Sequence, residues 1–441
     1  MLILLTFKHI HLFLYTMNNQ NRRDFIKKSS IAVAATAFFT PTFAQMNNSK
    51  TLKVGLIGCG GRGTGAAAQA IKADPNVIIT AMGDVFEDRL LESYNSLIQV
   101  DADKVKVDAA HRFVGFDAYK KVIDSGVDVV LLTSTPSFRP LHFEYAVNAG
   151  KHIFCEKPVA VDAAGVRRVL AAAKVAKEKQ LNVVSGFCFR YETPTREVMS
   201  RVLAGQVGKI NSISTFRNGG EAWYIPRQPD WNDTTYYMRN WYYYNALSGD
   251  FIVEQAVHSL DMMSWAMGDV MPLSVIGTGG RQLRVDPKYG NIYDHFAVEF
   301  TYADGAKGFH FTRQQAGTSS RNTVDVLGTD GQAIINVTNR HEIVGKNPWN
   351  FKGRMNNMYQ TQHDELFAAI RAGKVLFDGE FMTNSTLLAI MARDAAYSGQ
   401  VLTTEQVLNS TVALGPALED YSWDLPLNPH PIAIPGITKV V

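Results

Sequence analysis

Between Val54 and Gly63 the chain reads V-G-L-I-G-C-G-G-R-G, and small residues follow over Thr64–Ile71. An apolar run that breaks into Gly58-x-Gly60-x-x-Gly63 predicts a strand, a tight turn and a helix start. Gly58 permits the turn, Gly60 lets the backbone approach a pyrophosphate, and Gly63 lets helix and strand pack closely. The helix N-terminus then presents free N–H groups and its positive dipole end to phosphate. A second apolar run, V-I-I-T-A-M-G-D, closes on Asp84. A carboxylate at that distance from the glycines can bind both ribose hydroxyls of NAD and repels the 2′-phosphate of NADP. NAD is therefore the expected cofactor, with NADP the lesser alternative because Arg62 and Arg89 lie close in sequence.

Strand and helix continue to alternate. A helix is expected over Glu87–Gln99 and a short one over Phe116–Ile123. V-D-V-V-L-L-T-S-T (residues 127–135) is apolar without alternation, as in a strand buried on both faces. It ends at Thr133–Pro136, and the loop there, with Thr135, sits where doubly wound sheets take their ligands. A helix over His142–Ala149, stopped by Gly150, leads to a strand at Lys151–Cys155 and then Glu156-Lys157-Pro158. This order argues for α/β architecture: an N-terminal doubly wound parallel sheet with right-handed crossovers, expected over residues 50–190.

G-C-G-G-R-G, E-K-P-V-A at residues 156–160, G-F-C-F-R at 186–190 and the order of elements resemble the Gfo/Idh/MocA family of oxidoreductases. The resemblance spans nearly all the chain after residue 50. It implies that Lys157 lies beside the nicotinamide and the substrate hydroxyl, with Glu156 at the cofactor, and that the peptide before Pro158 is cis. An ammonium at that place stabilises a developing alkoxide and relays its proton.

Further on, Leu247-Ser248-Gly249-Asp250 precedes F-I-V-E-Q-A-V-H-S-L-D-M-M-S-W (251–265). Read as one helix, Glu254, His258 and Asp261 share a face, with Asp250 on the same stripe. The remaining faces are apolar, so the helix is buried and its polar stripe must meet a cavity, a partner or a ligand. The resemblance implies that His258 is the general acid/base. Glu254 stands where the family usually has aspartate, and is expected to orient or assist His258. Arg190 and Asp261 are candidate substrate contacts. No metal site is read here.

Residues 223–244 are rich in aromatics interleaved with Arg227, Asp230, Asn232, Asp233 and Arg239. Trp223, Tyr224 and Trp241 are candidates for stacking on a sugar; a packed loop or a subunit contact fits the same composition. Tyr293-Asp294-His295 could add pocket groups. Strands are expected at Ile210–Arg217, Leu273–Gly280, Asp294–Tyr302, Ala306–Arg313, Thr323–Gly328 and Gln332–Val337, with turn signals at residues 303–305 and 329–331. They predict a mostly antiparallel open sheet in an α+β domain over residues 191–441. Helices follow at His363–Gly373 and Thr383–Ser398 and, as the resemblance implies, pack back on the nucleotide domain.

At the N-terminus, Asn21-Arg22-Arg23-Asp24-Phe25-Ile26 precedes a short apolar stretch, Ile31–Phe39, and Thr42-Phe43-Ala44. That layout predicts a targeting segment over residues 1–44, of twin-arginine type, with Met17 a candidate true start. The apolar stretch is too short to span a bilayer. Export of the folded chain to the periplasm implies NAD held tightly enough to travel with it. Three cysteines, Cys59, Cys155 and Cys188, cannot build a disulfide framework and are expected as free buried thiols. With 44 basic and 41 acidic residues and no basic block, nucleic acid is not an expected partner. A homo-oligomer is expected from the resemblance.

The leading expectation is an NAD-dependent oxidoreductase acting on a secondary hydroxyl of a sugar, glycoside or cyclitol. Two alternatives stand beside it. One resembles the NAD-dependent α-N-acetylgalactosaminidases, which oxidise transiently, eliminate, and return the hydride. The other is a catalytically inactive sugar-binding sensor.

Overall fold

The computed structural model describes residues 50–441 apart from Thr338 and Leu427. The targeting segment expected over residues 1–44 lies outside the described residues.

Two sheets organise the chain. The first contains β1 (Leu52–Ile57), β2 (Val77–Asp84), β3 (Arg112–Val114), β4 (Val129–Leu132), β5 (His152–Cys155) and β6 (Val183–Ser185) in the order β3-β2-β1-β4-β5-β6. Every pairing in it is parallel. Helices α1 (Gly61–Ala73), α2 (Glu87–Asp101), α3 (Ala118–Asp124), α4 (Arg139–Asn148) and α5 (Ala163–Glu178) connect the strands. The order reverses between β1 and β4, and a crevice opens at such a switch point. The central strands are buried on both faces; Val129–Leu132 has no exposed residue.

After α6 (Thr193–Leu203) the chain enters a second sheet with β7 (Ile210–Gly219). Helices α7 (Asp233–Arg239), α8 (Asn245–Ser248), α9 (Phe251–Glu254) and α10 (Val257–Ala266) follow. The sheet is completed by β8 (Ser274–Gly280), β9 (His295–Thr301), β10 (Lys307–Gln314), β11 (Arg321–Gly328), β12 (Gly331–Asn336), β13 (Arg340–Gly345), β14 (Trp349–Asn350) and β15 (Leu402–Thr403). Its order is β14-β13-β12-β11-β7-β10-β9-β8-β15. All pairs are antiparallel except β7 with β10. The fold is thus α/β, with a Rossmann sheet followed by a mostly antiparallel one.

The alternation of β7 sets up the site. Ile213 and Thr215 are fully buried on the face that packs α10, while Phe216 stacks on Phe311 on the opposite face. Arg217 shares the parity of Ile213 and Thr215, so a charged side chain occupies the inner face.

Helices α11 (Met358–Arg371), α12 (Gly379–Ser398) and α13 (Thr404–Leu408) end the chain. Gln360 Nε2 donates to the Gln69 carbonyl at 3.0 Å, and Arg371 pairs with Asp74 at 2.8 Å, so α11 is tied to α1. Among the described residues, no helix is long and apolar enough to cross a membrane. Cys59, Cys155 and Cys188 are free and buried.

Candidate active site

The glycine turn behaves as steric reasoning requires. Gly58 has φ +94°, and a Cβ there would lie 2.4 Å from Ser134 N. A Cβ on Gly63 would sit 1.9 Å from the Gly58 carbonyl oxygen, so only glycine lets α1 pack on this turn. Around Gly60 and Gly61 there is open space within 4 Å. The N-terminus of α1 has no side-chain cap, which leaves its first N–H groups facing that space. At the end of β2, Asp84 accepts from Cys59 N at 2.6 Å and Phe86 N at 2.9 Å. These bonds fix the carboxylate at the cavity wall, and burial raises its pKa against their opposing effect. Thr135 lines the same cavity with a buried hydroxyl that has no protein partner. An open phosphate cradle, a fixed carboxylate and an orphaned hydroxyl fit a dinucleotide.

The cavity, of about 710 Å³, runs from this cradle to α9 and α10. Gly58, Gly60, Arg62, Gly63, Asp84, Thr135, Glu156, Lys157, Glu254, His258, Trp223 and Trp241 all line it. Arg62 Nε donates to Glu156 at 2.5 Å, so Arg62 is partly neutralised. Glu156 fits only because residue 186 is glycine: a Cβ there would be 2.4 Å from its Oε2. The peptide between Lys157 and Pro158 is cis.

The predicted continuous helix over 251–265 is a correction. It breaks at Gln255–Ala256, where Ala256 N bonds to the Phe251 carbonyl at 3.1 Å, one residue further back than an α-helix allows. The break leaves the Glu254 carbonyl to accept from Lys157 Nζ at 2.5 Å, while Glu254 Oε1 accepts from the same nitrogen at 2.9 Å. Glu254 is therefore the partner of Lys157. The expectation that it orients His258 fails because its carboxylate is turned to the ammonium.

His258 packs between Phe187 and Phe189, with ring centroids at 5.9 Å and 5.0 Å. Its Nδ1 is buried without a hydrogen-bond partner. Burial, then the charges of Lys157, Arg217 and Arg62, drive its pKa well below that of a free imidazole, so the ring is neutral at pH 7.

Three substrate-contact expectations do not reach the cavity. Arg190 and Asp261 form a buried ion pair at 2.8 Å, extended by Asp269 and by Ser385, whose Oγ donates to Asp261 at 2.7 Å. A buried charge needs a partner, and these two satisfy each other inside the core. Tyr224 turns its hydroxyl to that of Tyr236 at 3.2 Å, away from the cavity lining. Asp250 lies ahead of α9 with φ +75° and is its buried cap, accepting from Phe251 N, Tyr293 N and Tyr397 Oη; burial lifts it to about 6. Tyr293 is core, and Asp294 accepts from the backbone of residues 282–284.

Arg217, Gln255, Arg139 and Arg239 also line the cavity, and sequence reasoning missed their roles. Arg139 braces the lysine loop by donating to the Pro158 carbonyl at 2.7 Å. Arg239 reaches across to Asp88 at 2.8 Å and stacks over Phe86, so part of the aromatic segment closes on the β2 end of the cleft.

Comparison with known proteins places these features in context. Residues 52–185 match the oxidoreductase family model with an NAD-binding Rossmann fold, and residues 195–334 match the GFO/IDH/MocA C-terminal domain model. A myo-inositol 2-dehydrogenase of Thermotoga maritima is 26% identical over 284 residues, 64% of this chain and 74% of that protein. An inositol 2-dehydrogenase of Rhizobium meliloti is 24% identical over 286 residues, with 64% and 74% covered. The aldose-aldose oxidoreductase of Caulobacter crescentus, solved with glycerol, superposes with a TM-score of 0.64 at 19% identity, covering 80% of this chain and 100% of that one. Levoglucosan dehydrogenase with NADH and levoglucosan gives a TM-score of 0.61 at 18% identity, covering 81% and 100%.

Proposed function

The chain belongs to the Gfo/Idh/MocA family of NAD-binding oxidoreductases, and on that premise we propose that it oxidises a secondary hydroxyl of a sugar, glycoside or cyclitol. The observation that carries the reading is Lys157 Nζ held on the Glu254 carbonyl and carboxylate, in the cavity that also holds the phosphate cradle and His258.

When bound, NAD supplies the hydride acceptor. The chain's own groups manage the hydroxyl. An ammonium has three N–H donors; two on Lys157 are spent on Glu254, and the third is left for a substrate oxygen. That fixed donor stabilises negative charge as the hydroxyl proton leaves. His258, neutral at pH 7, is the base that takes this proton. Glu254 holds the Lys157 side chain in place through both contacts. Trp223 and Trp241 offer apolar faces to a sugar ring. The activities named for the inositol and levoglucosan dehydrogenases agree with such a substrate.

Export of the folded, NAD-loaded chain through the segment at residues 21–44 belongs to the same proposal, as does a homo-oligomer. Fractionating cells that express the full chain tests the first, and light scattering the second. The catalytic reading is tested by incubating NAD-loaded protein with neutral and acidic sugars, cyclitols and aryl glycosides while following absorbance at 340 nm. NADH formation supports it. Release of aglycone without net NADH moves the reading to oxidation-assisted elimination. Sugar binding without either reaction leaves a sensor.

A further inference from the structure

Every cation lining the cavity is engaged except one. Arg62 pairs with Glu156, Lys157 with Glu254, Arg239 with Asp88 and Arg89 with Glu92, and Arg139 donates to the Pro158 carbonyl. The Arg217 guanidinium has no hydrogen bond or ion pair among the described residues. It projects from β7, a strand flanked on both sides by β10 and β11, on the inner face where Ile213 and Thr215 are fully buried. Its register neighbours there, Thr312 and Asn322, carry no charge. It lies near enough to His258 to act on its charge.

A charge on the inner face of a sheet is costly unless something opposes it. The cavity's own carboxylates do not: Glu156 and Glu254 are committed to Arg62 and Lys157, and Asp84 to backbone N–H groups. The cofactor's phosphates belong at the glycine turn, on the other sheet. What remains is a group on the substrate. A guanidinium presents parallel donors that match a planar carboxylate in a way neutral hydroxyls do not.

We propose that Arg217 receives a carboxylate of the substrate, so that the sugar oxidised here is an acidic one, a uronate or its glycoside. The proposal rests on the catalytic reading above and names its substrate class. The carboxylate would be the handle that sets which ring carbon faces Lys157 and His258, with no change in the chemistry there.

The test pairs methyl uronides of several configurations with their neutral methyl glycosides. Calorimetric binding to NAD-loaded protein and NADH formation are both measured, for wild type and Arg217→Gln. A uronide preference of about 10- to 100-fold that collapses toward unity in the variant, mainly through KM, is the expected result. Preference for neutral sugars, a ratio unchanged in the variant, or no binding of any uronide overturns the proposal. Loss of NAD affinity in the variant also overturns it, by assigning the guanidinium to cofactor phosphate. Uronide binding that depends on Arg217 without NADH formation keeps the inference and sinks the dehydrogenase reading, so the two failures are distinguishable.

Discussion

Lys157 and Glu254 lie 97 residues apart in sequence, yet Lys157 Nζ rests between two oxygens of Glu254, one from its backbone and one from its side chain. The backbone oxygen is free only because the helix breaks after it. A longer carboxylate than the family's usual aspartate makes the second contact.

This relationship separates charge from position. Glu254→Gln keeps the backbone acceptor and a side-chain oxygen but removes the negative charge. It should fold normally and lower kcat about 10- to 100-fold, with NAD affinity retained, since the carboxylate touches no part of the phosphate cradle. Steady-state kinetics and NAD titration check both halves. Equal kcat in variant and wild type would remove Glu254 from the mechanism.

On the proposed reading, Asp84 receives the cofactor's ribose hydroxyls and selects against a 2′-phosphate. Asp84→Ala should weaken NAD binding about tenfold or more and narrow the preference over NADP, because the repulsion of a 2′-phosphate goes with the charge. Fluorescence titration with both nucleotides checks it. Retention of wild-type preference would assign selectivity elsewhere.

The buried Arg190–Asp261 pair is structural. Removing one partner strands the other charge, so Arg190→Met should cost about 3–5 kcal/mol of stability. Thermal melts measure the loss. Activity per folded molecule should stay near normal, whereas a raised KM with an unchanged melt would return Arg190 to the substrate.

Acid should destabilise the fold through buried imidazoles. Burial lowers His142, His310 and His363 to about 3, against 6.5 for a free imidazole. Their folded values lie below the unfolded ones, so the unfolded chain takes up protons first as pH falls. Stability from these groups is complete above pH 6.5 and declines below it, by about 1.4 kcal/mol per pH unit for each. His310→Gln should flatten the slope by one proton between pH 6.5 and 3, as read by denaturant melts. An identical slope would contradict the assignment.

The nucleotide half was legible because its signals are local. A glycine turn, a terminal Asp84 and unbroken apolar strands each carry their own physics, and the structure has the Rossmann order they imply. The site's second half was less legible. Periodicity put Asp250, Glu254, His258 and Asp261 on one stripe, but Asp250 lies outside the helix as its cap, and a wide turn at Gln255–Ala256 parts Glu254 from His258 and Asp261. Nothing in the residues 251–266 themselves announces that turn; it is stabilised by Lys157 arriving from the other sheet. Arg190 was expected at the substrate and Arg217 was not singled out, for a related reason. Pairing decides whether a buried arginine is structural or available, and pairing across 71 residues, as between Arg190 and Asp261, is invisible to spacing. Strands β14 and β15 were missed because each spans two residues at an edge of the sheet.

The central claim is that Lys157 and His258 act together on a substrate hydroxyl in the NAD-loaded cavity. Its most direct measurement is a single-turnover record at 340 nm, with NAD-loaded wild type, Lys157→Met and His258→Gln each mixed with a uronide that wild type oxidises. The account predicts rapid NADH formation by wild type and rates at least about 1000-fold slower in both variants, with bound NAD retained. NADH formation at the wild-type rate by either variant would contradict it.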